Sequence, residues 1–335
     1  MVWSIAVIGA GISGLACARA LSLAGHHVTV YEKSRGAGGR MPTRWVDKSA
    51  EPPLGFDHGS QYFYADSASF DSVVQKARGQ GSVAPWEGRV VDLAYGVVSN
   101  HESKGTRWVG VPGMAAFAKS LAGSLPIVYE QRVLKIERHA DKWQLYLQSS
   151  PGEEVKTSAG FDWVICAIPA EQAAELLDGI HPRAAQAAAS VQSSVTWSAM
   201  LTFDEKVPVD YDGAFVVDSP LGWICRDSSK PGRAPGERWV LHATADWSFA
   251  HVNETREAVT DRLVDVFFSA IGHYVEPSIA KAHRWLYSVP LNPLSQSHMC
   301  DPEQGIGVCG DWMADGRIES AYLSGEALAA HMNKV

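Results

Sequence analysis

Gly9-Ala10-Gly11-Ile12-Ser13-Gly14 lies between a β-branched run, Ser4–Ile8, and an Ala- and Leu-rich helical stretch, Ser13–Ala24. No other feature constrains the fold of this chain as strongly. Gly25 ends the helical stretch, and His27–Tyr31 alternates as a second strand that runs into Glu32 and Lys33. The acidic residue falls roughly 20 positions after the glycines, the spacing of a dinucleotide-binding βαβ unit. In such a unit Gly9 allows the tight turn, Gly11 lets backbone approach a pyrophosphate, and Gly14 lets helix and strand pack closely. Free N–H groups at the helix start point at the phosphates, and Glu32 is placed to accept from ribose hydroxyls. A glycine turn alone would be a weak signal; the strand before it, the helix after it and the acid beyond make it a strong one.

At 335 residues the chain exceeds the roughly 250–300 at which a single core stops growing, so two interleaved domains are expected. We expect a nucleotide-binding domain from 1–65, 125–180 and 300–335, with a substrate domain from 66–124 and 181–299. With 46% hydrophobic residues the chain is too apolar for disorder. Its net charge of −8 and lack of a basic run leave no electrostatic footprint for nucleic acid or a membrane surface. No stretch reaches the roughly 18 apolar residues of a membrane span. Ile5–Leu23 is apolar but has no basic flank, which argues against a signal peptide. The five cysteines form no CxxC pair or zinc spacing. Cys17, Cys166 and Cys309 are expected as core residues, all five as thiols, and the compartment as the cytoplasm.

Further along, the pattern predicts a strand around Phe56–Phe63, a helix over Ala68–Ala77, short strands over Trp86–Val98 and Thr106–Val111, and a helix over Gly113–Ala122. Ile127–Glu137 and Lys142–Gln148 read as a strand pair. Asp162–Ala167 is an apolar run suited to a parallel sheet, and Pro169 opens a helix at Ala170–Leu177. Val195–Phe203, Gly213–Val217, Trp223–Arg226, Trp239–Ala245 and Lys281–Tyr287 form a strand-rich block around an amphipathic helix, Glu254–Ile271. Gly305–Cys309 reads as a late strand and Glu319–His331 as a closing helix.

The first motif leaves the dinucleotide open between NAD(P) and FAD. Arg35-Gly36-Ala37-Gly38-Gly39-Arg40, followed by Met41, resembles the R-x-G-G-R segment of the FAD-dependent amine oxidase and protoporphyrinogen oxidase superfamily. Val308-Cys309-Gly310-Asp311-Trp312 with Gly316-Arg317-Ile318-Glu319 resembles the C-terminal G-D motif of the same group, and Asp162–Pro169 its apolar strand ending in A-x-P. This resemblance implies an α/β, amine-oxidase-like two-domain fold. A Rossmann-like FAD-binding domain would carry a discontinuous substrate domain built on a mixed, largely antiparallel sheet. It implies noncovalent FAD, with Arg40 serving the phosphates, Val133 the adenine, Asp311 the ribityl or pyrophosphate region, and backbone N–H groups at Arg317, Ile318 and Glu319 the flavin pyrimidine oxygens.

Phe56-Asp57-His58-Gly59-Ser60-Gln61-Tyr62-Phe63 and Trp108-Val109-Gly110-Val111-Pro112-Gly113-Met114 further resemble the renalase family in its bacterial form. That resemblance implies oxidation of 2- or 6-dihydro-NAD(P) isomers to NAD(P)+, with electrons passing to oxygen as hydrogen peroxide. The lysine that amine oxidases hold near the flavin has no counterpart in Val195–Phe203. Asp57, His58, Gly59, Ser60 and Gln61 are expected beside the cofactor, and His58, Gln61, Tyr62, Trp223, His242 and Trp285 are candidates for the substrate wall. Trp223 and Trp285 read more readily as core residues than as substrate walls, and His242 equally as a buried, satisfied histidine. Two other readings stay open: an amine or porphyrinogen-type FAD oxidase, and an FAD-binding redox sensor without efficient turnover.

Overall fold

The computed structural model describes residues 1–49 and 51–335. Ser4–Ile8 and Trp163–Cys166 lie side by side at the centre of a six-stranded sheet, which explains why both are apolar on consecutive residues rather than on alternate ones. The order across the sheet is Met299–Asp301, Ile306–Val308, Trp163–Cys166, Ser4–Ile8, His27–Tyr31 and Ile127–Val128. Only Met299–Asp301 runs antiparallel to its neighbour. Side chains leave a strand alternately on its two faces. Ile5 and Val7 therefore enter one core with Leu15, Phe70, Phe117 and Leu328, while Ala6 and Ile8 enter another with Leu145, Leu177 and Ala188.

The first core is roofed by the helix Ile12–Leu23 and by the last helix, Ile318–Met332, which lie against each other. Gly325 sits at that crossing, where an added Cβ would lie 2.1 Å from the Ser13 carbonyl oxygen. Helices Ala68–Gly79 and Ala115–Ala122 pack into the same core.

A seven-stranded sheet forms the other half of the molecule, ordered Pro277–Trp285, Thr196–Phe203, Glu237–Ala243, Leu221–Arg226, Gly213–Val217, Val90–Ala94 and Val97–Asn100. It is antiparallel except where Gly213–Val217 meets Val90–Ala94. Trp197, Ala199, Leu201 and Leu241 point to one face and are covered by Val259, Leu263 and Phe267 of helix Arg256–Ile271. The opposite face is left for the site. Residues 66–124 divide between the halves: their two helices join the parallel-sheet core, and Val90–Asn100 joins the second sheet.

Three local expectations are corrected. Phe56–Phe63 is not one strand; pairing stops after Leu54–Phe56 and resumes at Phe63, which bridges to Trp108. The loop between them is held by buried charge at Asp57. Trp86–Val98 breaks into a hairpin because Tyr95 and Gly96 both take positive φ, 51° and 78°. A helix at Pro182–Ala189, with proline in its first turn and His181 capping Ala184 N–H at 3.0 Å, was absent from the sequence reading. Among the described residues no helix is long and apolar enough to cross a membrane.

Candidate active site

Four parallel strands end at one side of their sheet, and the residues just past them, Gly9, Glu32, Ala167 and Gly310, line one elongated cavity of about 770 Å³. This is the crevice at the carboxyl ends of the strands, where open α/β sheets bind ligands. The seven-stranded sheet closes it from the other side.

At the nucleotide end Gly9 takes φ +103°, and a Cβ there would lie 2.5 Å from the Ala167 carbonyl oxygen. Gly14 is as tight: its Cβ would lie 2.1 Å from the Gly9 carbonyl oxygen, so only glycine lets helix and turn meet. Gly11 differs, with nothing within 4 Å of an added Cβ, and Gly39 backs it at 3.4 Å. The helix that Gly11 opens has no side-chain cap and no acidic residue in its first turn. Its first N–H groups face a cradle that a phosphate would fill. Glu32, buried, accepts from Ala10 N–H and from Ser34 N–H, each at 2.8 Å. It braces the glycine turn and keeps a further lone pair on each oxygen for a hydroxyl. Lys33 reaches Gln172 at 3.2 Å, and burial holds its ammonium below the usual range. Ile12, Ser13, Gly38, Met41 and Val133 also line this half of the cavity. Ala10 and Gly14 lie behind the surface.

Arg40 lies on the wall, but its charge is engaged. Its Nη2 pairs with Asp311 at 2.5 Å and its Nη1 donates to the Ser288 carbonyl oxygen at 2.8 Å. The pair ties the second glycine loop to the G-D motif, 271 residues away in sequence. Arg317, Ile318 and Glu319 open the last helix against the cavity. Arg317 N–H is taken by Asp315 at 3.1 Å, and the Glu319 carboxylate accepts from Asp66 and Ser67 N–H at 2.9 and 2.7 Å.

Gly59, Ser60, Gln61 and Tyr62 line the middle of the cavity; Asp57 and His58 do not. Asp57 is fully buried, accepting from Thr43 Oγ1 at 2.8 Å and Met114 N–H at 2.9 Å and paired with Arg233 and Lys230. Burial pushes its carboxyl up, but the two cations prevail and hold it below the carboxylate range. Lys230 also meets Asp227 at 2.7 Å and donates to Gln61 Oε1 at 3.2 Å. With its amide N–H groups engaged by the carbonyl oxygens of Asp57 and Gly59, Gln61 is locked in place. This ion cluster was not legible in the sequence, because Lys230 and Arg233 lie far along the chain from Asp57. His58 sits behind the wall, its ring edge-on to His283 at 4.8 Å and tilted on Trp285 at 5.2 Å.

The other end of the cavity is floored by one row across the seven-stranded sheet. Direct pairs place Phe215 beside Trp223, Trp223 beside His242, His242 beside Ser198, and Ser198 beside His283. Directly paired residues share a face. Phe215, Trp223 and His242 open on the cavity, with Trp285 and Tyr62 beside them. Tyr62 stands edge-on to Trp223 at 5.6 Å. Burial and then Tyr64 push its phenol up to about 12, against the opposing pull of Arg107. Burial pushes the imidazoles down, His58 to about 3 and His242 and His283 to about 4, so the histidines here are neutral. Phe215, Tyr64 and the loop Leu286–Val289 were not singled out in the sequence. Phe215 lies in a run expected as a strand, Gly213–Val217, whose facing the sequence did not fix, and the loop carries no pattern. Among the described residues no group of His, Cys, Asp or Glu is placed to hold a metal ion.

Comparison with known proteins bears directly on this cavity. Residues 7–76 match the profile of the NAD(P)-binding Rossmann-like domain, and residues 92–333 that of the flavin containing amine oxidoreductases. The chain belongs to the flavin containing amine oxidoreductase family. Its cofactor is FAD, bound noncovalently, and the open glycine cradle with its uncapped helix fits the cofactor's diphosphate. Among solved structures, the fold of this flavin containing amine oxidoreductase is similar to that of an Exiguobacterium protein assigned as a protoporphyrinogen oxidase (TM-score 0.77, 12% identity, 99% of this chain and 98% of that one). It is similar also to putrescine oxidase bound to putrescine (TM-score 0.76, 12% identity, 100% of both chains). Among curated proteins, a 4-hydroxybenzoate brominase (decarboxylating) of Marinomonas mediterranea is 29% identical over 161 residues, 48% of this chain and 25% of that protein. A 4,4'-diapophytoene desaturase of Staphylococcus haemolyticus is 57% identical over 37 residues, 11% of this chain and 7% of that protein. The matched stretches thus cover a quarter or less of those relatives' own lengths.

Proposed function

We propose that this chain is a renalase-type oxidase that takes hydride from 2- or 6-dihydro-NAD(P) isomers, releases NAD(P)+ and passes the electrons to oxygen as hydrogen peroxide. The observation that carries this reading is the character of the substrate end, which has aromatic walls and no free carboxylate. The carboxylates lining the cavity are Glu32, Glu175, Asp311 and Glu319. Glu32, Asp311 and Glu319 are engaged as described, and Glu175 stands on helix Ala170–Leu177 beside Gln172 and Leu176. A cationic amine would find rings and neutral imidazole there but no counter-charge, whereas a flat dihydropyridine finds surfaces to stack on.

Bound FAD would supply the acceptor for one hydride, that is, two electrons and a proton. The chain's own work is to hold the substrate ring at roughly 3–3.5 Å from the reacting atom and to exclude water. Phe215, Trp223, Trp285 and Tyr62 serve as walls, and Gln61 fixes the floor beside the cofactor. Glu32, Lys33 and Val133 would hold the adenosine half of FAD, Gly11 and Gly39 its diphosphate, and Arg317, Ile318 and Glu319 its ring system, all of them lining the one cavity. Regained aromaticity drives the hydride's departure, so no general base is required.

Anaerobic mixing of the holoenzyme with borohydride-reduced NAD+, with putrescine and with a porphyrinogen tests the reading. Bleaching of the visible flavin band by the reduced nucleotide alone is expected. Bleaching only by the amine or the porphyrinogen would overturn the proposal. Oxygen consumption during aerobic turnover separates an oxidase from a sensor, which would reoxidise slowly.

A further inference from the structure

His242 stands in the middle of the aromatic row with its ring on the cavity. Its Nε2 lies 3.2 Å from the His58 carbonyl oxygen, and Trp285 Nε1 donates to that same oxygen at 3.0 Å. A carbonyl oxygen only accepts, so Nε2 carries the proton of the neutral imidazole and Nδ1 is left with a lone pair. Among the described residues no donor meets Nδ1, and the atom is not among those sealed in the core. Neighbouring polar groups leave it free. The Gln61 amide is engaged on both its donor and acceptor sides, and Thr196 Oγ1 donates to Ser288 Oγ at 2.9 Å. Among the described residues no carboxylate pairs with the ring, and Asp57 and Asp227 of the buried ion cluster are taken by Lys230 and Arg233. The aromatic end therefore presents a fixed acceptor that the protein itself never supplies with a donor.

We infer that His242 determines specificity for the ring substituent of the substrate, taking a hydrogen bond from the N–H of a carboxamide and turning away a carboxylate at the same ring position. The inference rests on the dihydronicotinamide reading above. A carboxamide satisfies Nδ1. A carboxylate offers only acceptors, so two lone pairs face each other and neither supplies the other with a donor. A mismatch of that kind lowers kcat/KM by roughly 10–100-fold. Because Trp285 and His242 share one anchoring oxygen, the stacking wall and the acceptor are held at a fixed spacing, and the ring is read together with its substituent.

The test compares borohydride-reduced nicotinamide mononucleotide with borohydride-reduced nicotinic acid mononucleotide on the FAD-loaded enzyme, wild type and His242→Phe. The wild type should favour the amide by at least roughly tenfold in kcat/KM. His242→Phe, which keeps a flat ring and removes the acceptor, should bring the ratio close to one, chiefly by losing rate on the amide. Should the variant fail to load FAD, the flavin difference spectrum of the wild type titrated with the two oxidised mononucleotides reads the same preference as a difference in apparent Kd. Equal use of both reduced substrates by the wild type would overturn the role of His242 while leaving the dihydronicotinamide reading intact. So would an amide preference that survives His242→Phe. If neither reduced mononucleotide nor reduced NAD+ bleached the flavin, the reading itself would fall, and the inference with it.

Discussion

A methyl group on Gly14 would lie 2.1 Å from the Gly9 carbonyl oxygen and 3.1 Å from the Ala167 side chain, where neither backbone nor strand end can retreat. Gly14→Ala is therefore expected to cost about 1–3 kcal/mol and to spread the turn that holds the diphosphate. The protein should purify with less FAD, read as a lower ratio of flavin to protein absorbance. Asp57 is a different kind of residue, with no surface on the cavity but with two cations depending on it. Asp57→Ala would leave Arg233 and Lys230 buried with reduced compensation, and a loss of about 3–5 kcal/mol is expected; chemical denaturation would measure it. The three neutral imidazoles set a pH dependence of definite sign. Burial lowers the folded-state values to about 3 for His58 and about 4 for His242 and His283, so between these values and the unfolded value of roughly 6.5 the unfolded chain binds more protons. Stability should be intact above pH roughly 6.5 and fall as the pH drops towards 4. Thermal midpoints measured across that window should show a shallower decline in His283→Phe.

At the scale of the element, the strands of the second sheet have two faces with separate duties. Trp197, Ala199 and Leu201 pack on helix Arg256–Ile271, while Ser198, between them, belongs to the row beneath the site. Leu263→Ala, deep under that helix, is expected to cost about 2–5 kcal/mol yet leave the flavin spectrum unchanged, since the site lies on the far face. Element existence was largely readable: the strand Gly213–Val217 and the helix Ala170–Leu177, opened by Pro169, occupy the bounds expected from the sequence. The row was not readable, because a one-residue slip in any strand moves a side chain to the other face, and sequence alone does not fix register. FDHGSQYF looks like a strand by composition. It is largely a loop because Asp57 N–H turns towards Asp227 at 3.4 Å, the Asp57 side chain meets Arg233, and Gly59 packs on the Arg40 carbonyl oxygen.

For the whole molecule, FAD is a ligand whose binding stabilises the folded state by mass action. Free FAD at about 100 times its Kd should add about 2.7 kcal/mol, seen as a thermal midpoint that climbs with FAD concentration. Heating should release the chromophore into the protein-free filtrate, as a noncovalent cofactor requires; a flavin that stayed with the precipitate would contradict this. Segments from the two ends of the chain meet at Arg40 and Asp311 and again where the first and last helices cross. The sequence alone was enough for the dinucleotide turn, because it rests on glycines and an acid whose spacing is local; FAD and the two-domain fold were expected only from the resemblance of Arg35–Arg40 and Val308–Glu319 to the superfamily's motifs. Tertiary structure alone decided that Arg40 is bound to Asp311, that Asp57 and His58 stand behind the wall, and that His242 opens on the cavity with no partner at Nδ1 among the described residues. Each of these depends on a partner brought from a distant part of the chain, and local propensity carries no record of such a partner.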